Sequence, residues 1–137
     1  MLVGARAFHA ALDELPERAP ATEKIRLALR AHLRLVADQL DVATVFVREW
    51  RSLDAERRDE ILAERRRYEE RIRALFREGR EGSELRTDLD ENAAALLFLS
   101  AANWAYTWLH PGEDTDAVAD AFFGLLVDGM RGYDTPA

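Results

Sequence analysis

The chain has 137 residues, 48% hydrophobic and 33% charged, with a net charge of -7, seven glycines, four prolines and no cysteine. That length allows one domain with one sizeable core, the low Gly and Pro content favours long helices, and the lack of cysteine excludes a disulfide framework or a thiolate metal site. The charge is uneven: residues 1–41 balance, 42–92 are slightly acidic, and after Asn92 a single arginine faces six acids, which argues against holding nucleic acid by counterion release. The opening MLVGARAFHAAL has no basic start ahead of an apolar run, and no stretch reaches the roughly 18 apolar residues of a membrane span. A cytoplasmic protein with no membrane partner is the expectation.

Residues 1–15 read as a helix on the stripe Leu2, Val3, Ala7, Phe8, Ala11, Leu12 and Leu15. It starts with no N-cap, which suggests a preceding segment. Pro16 and Pro20 close it and open the next. Helix 21–40 buries Ile25, Leu29, Leu33, Val36 and Leu40, with Lys24, Arg26, Arg30 and Arg34 along its other side. His32 sits beside the stripe and is expected to be a partly buried histidine rather than a ligand contact. Residues 42–50, VATVFVREW, have the β-branched content of a strand. A strand needs a partner, and the chain offers no second candidate. A short buried helix capped by Asp41 is therefore expected. Arg48-Glu49-Trp50 closes it, either as a surface ion pair beside an anchoring tryptophan or facing a ligand cavity.

Residues 53–81 form one long helix started by Ser52 or Asp54, with Ile61, Tyr68, Ile72, Leu75, Phe76 and Gly79 inward. Its arginine clusters interleave with Glu56, Glu60, Glu64, Glu69 and Glu70 at three- and four-residue spacing. That pattern is a solvated, ion-paired face rather than a basic patch. Gly82 is expected to stop the helix, with Ser83 opening a loop. Asp88 with Glu91 resembles a capping box for helix 89–109. That helix carries LLFLSAANWAYTWLH, an aromatic run with no charge before its end. Pro111-Gly112 ends it, and Asp114 or Thr115 caps a last helix, 116–131, with the wide apolar set Val118, Ala121, Phe122, Leu125, Leu126 and Met130. The reading is six helices and no strand.

Catalytic signatures are missing. His9, His32 and His110 fall on different helices, no Glu-x-x-His or HExxH pair occurs, and Ser52, Ser83 and Ser100 have no nucleophile signature around them. No enzyme activity, metal or cofactor is expected. What remains is apolar excess on the last two helices, which suits a two-fold interface. Ala94, Leu97, Ala101 and Ala105 place small residues on one edge of helix 89–109, expected to meet a second copy. Ser100, Asn103, Trp104 and Thr107 lie on a neighbouring face that combines aromatic bulk with amide and hydroxyl groups, as pockets between helices do. Trp108 falls at the border.

Four motifs in order carry a resemblance: REW at Arg48–Trp50, RRRY at Arg65–Tyr68, EGREGSELR at Glu78–Arg86 and NWAYTW at Asn103–Trp108. Together they resemble the C-terminal ligand-binding and dimerisation domain of TetR-family transcriptional repressors, in the subgroup tied to lipid and acyl-CoA metabolism. The resemblance implies an all-α, six-helix domain over 1–137 whose last two helices form an intersubunit four-helix bundle. It implies a homodimer with Ala94, Leu97, Ala101, Ala105, Trp108, Phe122, Leu125, Leu126 and Met130 as candidate contacts. It also implies a cavity for a mostly apolar effector, acyl or polycyclic, with a CoA thioester among the candidates. Phe46, Arg48, Trp50, Arg65, Tyr68, Ile72, Ser100, Asn103, Trp104, Thr107 and Trp108 are its candidate lining. The family's N-terminal helix-turn-helix has no counterpart before Phe8, so this chain is expected to make no direct contact with nucleic acid. The alternative is a dimeric helical interaction module with no small-molecule ligand.

Overall fold

A computed structural model of the chain describes residues 2–40 and 49–129. Among the described residues there are five α-helices: α1 (Leu2–Asp13), α2 (Ala21–Asp38), α3 (Ala55–Glu81), α4 (Glu91–Trp104) and α5 (Thr115–Asp128). Short 3-10 turns occupy Trp50–Ser52 and Ala105–Thr107, and there is no strand among the described residues. The expected short helix at 42–50 falls, except for its last two residues, outside the described residues, as do Asp41, Phe46, Arg48 and Met130.

Helix ends follow the local chemistry, with some differences from the expected bounds. Asp54 caps α3 by accepting the Arg57 backbone N–H at 2.8 Å. Helix α4 starts two residues later than expected. Asp90, not Asp88, caps it by accepting the N–H groups of Asn92 and Ala93, because Asp88 is engaged by Arg86 at 2.6 Å. At its other end the helix tightens into the 3-10 turn, where the Thr107 hydroxyl donates to the Trp104 carbonyl at 2.8 Å. Gly82 ends α3, but the left-handed residue that turns the chain is Ser83, with φ of 63°. Helix α5 runs from its Asp114 cap to Asp128 and stops at Gly129, whose φ of 77° is the left-handed geometry a glycine allows after a helix.

Helix α2 is the hub. It packs against α1, α3, α4 and α5, and Ile25, Leu29 and Leu33 on its stripe are fully buried. Its arginine side is also covered. Arg30 Nε donates to Asp120 Oδ1 at 2.8 Å, Arg26 reaches the same oxygen, and Arg34 Nε donates to Asp116 Oδ1 at 2.8 Å. The bonds to Asp120, that of Arg30 foremost, hold its carboxyl down at about 2. Lys24, expected on the open side, is buried and ion-paired to Glu78 at 3.0 Å.

The N-terminus of α2 follows Pro20, which supplies no side-chain cap. Glu84, in the loop after α3, does this instead, accepting the N–H groups of Ala21 and Thr22 at 2.8 and 3.0 Å and the Thr22 hydroxyl at 2.8 Å. A carboxylate on free N–H groups at a helix start is favourable electrostatically as well. The loop comes this close because Gly79 has no side chain: a Cβ there would lie 2.7 Å from Leu85 Cδ1. Helix α3 is tied to α4 by Arg77 and Arg80, which both hold Glu91, and by Phe76 edge-on to Phe98 with ring centroids 6.2 Å apart.

Leu33 is fully buried on the helix that every other described helix packs against. Leu33→Ala is therefore expected to destabilise the fold by about 2–5 kcal/mol in urea denaturation, as truncation in a close-packed core does. A loss below about 1 kcal/mol would show that α2 is not the packing centre.

Candidate functional site

Helix α4 divides cleanly between a buried and an open face. Ala94, Ala95, Phe98, Leu99 and Ala102 are buried in the chain's own core, and Ala105 continues that line. On the opposite side lie Leu96 (63% exposed), Leu97 (58%), Ser100, Asn103 and Trp104 (63%). No charged side chain is among them, on a molecule whose other helical faces carry interlocking ion pairs. Leu125 on α5, 56% exposed, adds to this open apolar surface.

A groove of about 810 Å³, open to solvent, runs along this face. Arg65 and Glu69 of α3 form one wall. Leu96, Leu97, Leu99, Ser100, Ala101, Asn103 and Trp104 of α4 form the other, with Trp108 and Phe122 at the α5 side. The Arg65 guanidinium lies 5.8 Å from the centre of the Trp50 ring, within cation–π range. Trp104 meets Tyr106 edge-on at 5.9 Å, and Trp108 tilts against Phe122 at 5.6 Å.

The structure thus brings Arg65, Ser100, Asn103, Trp104 and Trp108 into one groove and sets Trp50 beside it. Thr107 is exposed and bonded to the Trp104 carbonyl, outside the groove. Tyr68 and Ile72 are in the core behind it. Of the residues expected on the small-residue edge, Ala94 and Ala105 are packed against the chain's own helices, while Leu97 is exposed and Ala101 lines the groove. The face division read from the sequence is therefore rotated by a fraction of a turn. The Ser100–Trp104 side and Leu97 share one open surface. Phe122 lines the groove, Leu125 is exposed and Leu126 is half-buried. The sequence reading missed Glu69, Leu96 and Leu99 in this role: Glu69 reads as one more ion-pair partner, and in the run LLFL every position is equally apolar.

Two histidines on different helices converge on Tyr68. His9 meets its ring edge-on at 5.9 Å, and His32 lies at 5.6 Å. His9 is bonded to Arg71, which also reaches the His9 carbonyl and Asp13, and faces Glu64 at 3.5 Å. Burial first, then Arg71, lowers its pKa. His32 is not partly but almost wholly buried, at 3% exposure. Its Nδ1 lies 2.9 Å from the Tyr68 hydroxyl, and its Nε2 is buried. Burial pushes His32 down to about 4, opposed by a side-chain hydrogen bond with Asn103. Burial likewise raises the Tyr68 hydroxyl, so both groups are neutral at pH 7. No cluster of three or more His, Cys, Asp or Glu suited to a metal occurs among the described residues. No described helix is long and apolar enough to cross a membrane.

A family model, the tetracyclin repressor-like C-terminal domain, matches residues 18–130. The fatty acid metabolism regulator protein of Bacillus subtilis (strain 168) is 27% identical over 122 residues, which is 87% of this chain; the chain spans 63% of that relative's length. The TetR family transcriptional regulator PfmR from Thermus thermophilus is similar in structure with a TM-score of 0.87 and 28% identity, over 96% of this chain and 72% of that one. FadR from Bacillus subtilis, solved in complex with stearoyl-CoA, has a TM-score of 0.78 over 95% of this chain and 72% of its own, and at 23% identity this is a likeness of fold.

Neutral burial of His32 sets a pH dependence. Its folded pKa of about 4 lies below its ordinary 6.5, so between those values the unfolded chain binds more protons and stability falls as pH drops. Below the folded pKa this contribution levels off. Urea denaturation at pH 7 and pH 5 is expected to show this slope, and His32→Phe is expected to flatten it. An unchanged slope in the variant would refute the assignment.

Proposed function

The chain belongs to the family of tetracyclin repressor-like C-terminal domains, and from that premise we propose that it is the effector-binding and dimerisation domain of a transcriptional repressor whose effector is an acyl compound, free or as a CoA thioester. DNA binding in this reading is the task of another segment. The observation that carries the proposal is the open, uncharged face of α4 and the groove along it. Exposed apolar area of this kind on an otherwise ion-paired surface is a site for a partner, a ligand or both.

The two tasks divide along the groove. Leu96 and Leu97 of α4, with Leu125 of α5, supply exposed apolar surface from two successive helices. Such a surface suits the same pair of helices of a second copy about a two-fold axis. The end formed by Arg65, Asn103 and Trp104 is mixed. It offers an aromatic plane for an apolar chain, an amide for orientation, and a cation at the rim for a phosphate or carboxylate. Support for an acyl effector comes from the fatty acid metabolism relative and from the stearoyl-CoA bound to the fold-related FadR.

Titration with stearoyl-CoA is expected to quench tryptophan fluorescence and, at about 100 times the dissociation constant, to add roughly 2.7 kcal/mol of stability. Trp104→Ala is expected to weaken binding about tenfold or more. No response to stearoyl-CoA or to shorter acyl-CoAs would leave a dimeric interaction module as the better reading.

The dimer is checked separately by light scattering at micromolar concentration. The wild-type chain is expected at twice its monomer mass, and Leu97→Glu, which puts a charge into the apolar surface, is expected to shift it to monomer. A monomeric wild type would remove the dimerisation claim.

A further inference from the structure

We propose that the groove along α4 is half of a site shared by two copies of this chain: the apolar face of the second copy is the wall that covers the acyl chain. The proposal rests on the acyl-effector reading and goes beyond it, because it makes effector binding and dimerisation one linked equilibrium.

The groove has the volume of a ligand site without the enclosure. Its size of about 810 Å³ falls within the roughly 300–1,000 Å³ of small-molecule pockets. Such pockets bury about 70–90% of their ligand, whereas this groove is open to solvent. An alkyl chain laid in it keeps one side in water. Removing that side from water is a large part of what makes an apolar ligand bind, so the site needs a cover for its affinity.

The open side is the surface that α4 presents to a second copy. Leu96, Leu97 and Trp104 line the groove, and each is more than half exposed. Whatever covers these three covers the groove. Together with Ser100 and Asn103 they form a face with no charged side chain, so its match is another uncharged face. A second copy supplies one about a two-fold axis.

Helix α5 continues this face. Ala117, Ala121 and Leu125 follow one another at four-residue spacing and are exposed, and a Cβ added at Gly124 would meet nothing within 4 Å. Neighbours on one side of a helix with side chains this small let a facing helix come close.

The polarity of the groove orients the ligand beneath that cover. Arg65 and Glu69 of α3 stand at one side, and Trp108 and Phe122 at the α5 side. The charged headgroup of an acyl-CoA leaves past Arg65, on the α3 side, and the alkyl chain lies across α4 towards Trp108 and Phe122. A second copy seated on α4 and α5 covers the chain and leaves the headgroup in water.

Linkage gives this arrangement a sign. A ligand that needs both copies binds the dimer more tightly than the monomer, and it tightens the dimer by the same factor. Two methylene groups left uncovered are enough for about tenfold.

Leu125 and Ala121 provide the test, since both are exposed and neither lines the groove. Leu125→Glu and Ala121→Arg are expected to be monomeric at micromolar concentration by light scattering. In fluorescence titration of the full chain they are expected to bind stearoyl-CoA about tenfold or more weakly than wild type. In the wild type, with no substitution, saturating stearoyl-CoA is expected to lower the dimer dissociation constant about tenfold or more by sedimentation equilibrium. Monomeric variants that bind as tightly as wild type, or a dimer constant unmoved by stearoyl-CoA, overturn the shared site and leave the effector reading in place. Variants that stay dimeric overturn it too, by placing the interface elsewhere. Wild type that binds no stearoyl-CoA at any protein concentration overturns both.

Discussion

Everything in this fold depends on α2 being enclosed. A helix with an apolar stripe on one side and four cations on the other has no obvious reason to sit in the middle of a domain. It does so because α5 brings Asp116 and Asp120 to its arginines, and Glu78 meets Lys24. Individually such half-exposed pairs contribute little. Their effect is permissive: they let the polar side of α2 be covered while Ile25, Leu29 and Leu33 bury the other side. With α2 surrounded, the remaining helices have their inward faces fixed.

The same logic sets the open face. Helix α4 is apolar almost all round, so it needs cover on most sides. Its first side meets α2 and α3 through Phe98 and Ala102, and its start is locked by Glu91 to Arg77 and Arg80. The chain contains no further described helix for the other side. Leu96, Leu97 and Trp104 are left without cover for that reason, and the groove is the space beside them. Surplus apolar surface was evident in the run LLFLSAANWAYTW itself. Which side it would fall on was not.

What the sequence made legible follows a physical dividing line. Helix identity, the buried stripes of α2 and α3, and the solvated arginine–glutamate face of α3 arise from local spacing, and the structure has them; of the paired cap candidates Ser52 or Asp54 and Asp114 or Thr115, it uses Asp54 and Asp114. The misread features depend on something distant or on a small change of pitch. Asp88 lost the α4 cap to Asp90 because Arg86 engages it. Ala94 and Ala105 turned inward because a nearly uniform apolar helix has no polar stripe to fix its rotation. Thr107 sits in a 3-10 turn rather than in the α-helix, so helical counting misplaces it. Glu84, the residue that caps α2, lies 63 residues from Ala21, whose N–H it accepts, and no local pattern announces such a bond. His32 and Tyr68 are each ordinary in their own helices, and no local pattern announces their pairing.

Glu84 and His32 show the two ways in which this interior handles polarity. Glu84 commits its whole carboxylate to three donors at the start of α2, and Gly79 lets the loop that carries it come close. Nothing is left over, and its role is to hold the fold. His32 is deeper, ringed by Phe8, Tyr68 and Phe98, and the Tyr68 hydroxyl holds its Nδ1. It also joins three helices at a point: Phe8 carries the contact to α1, where Arg71 adds its bonds to His9 and Asp13.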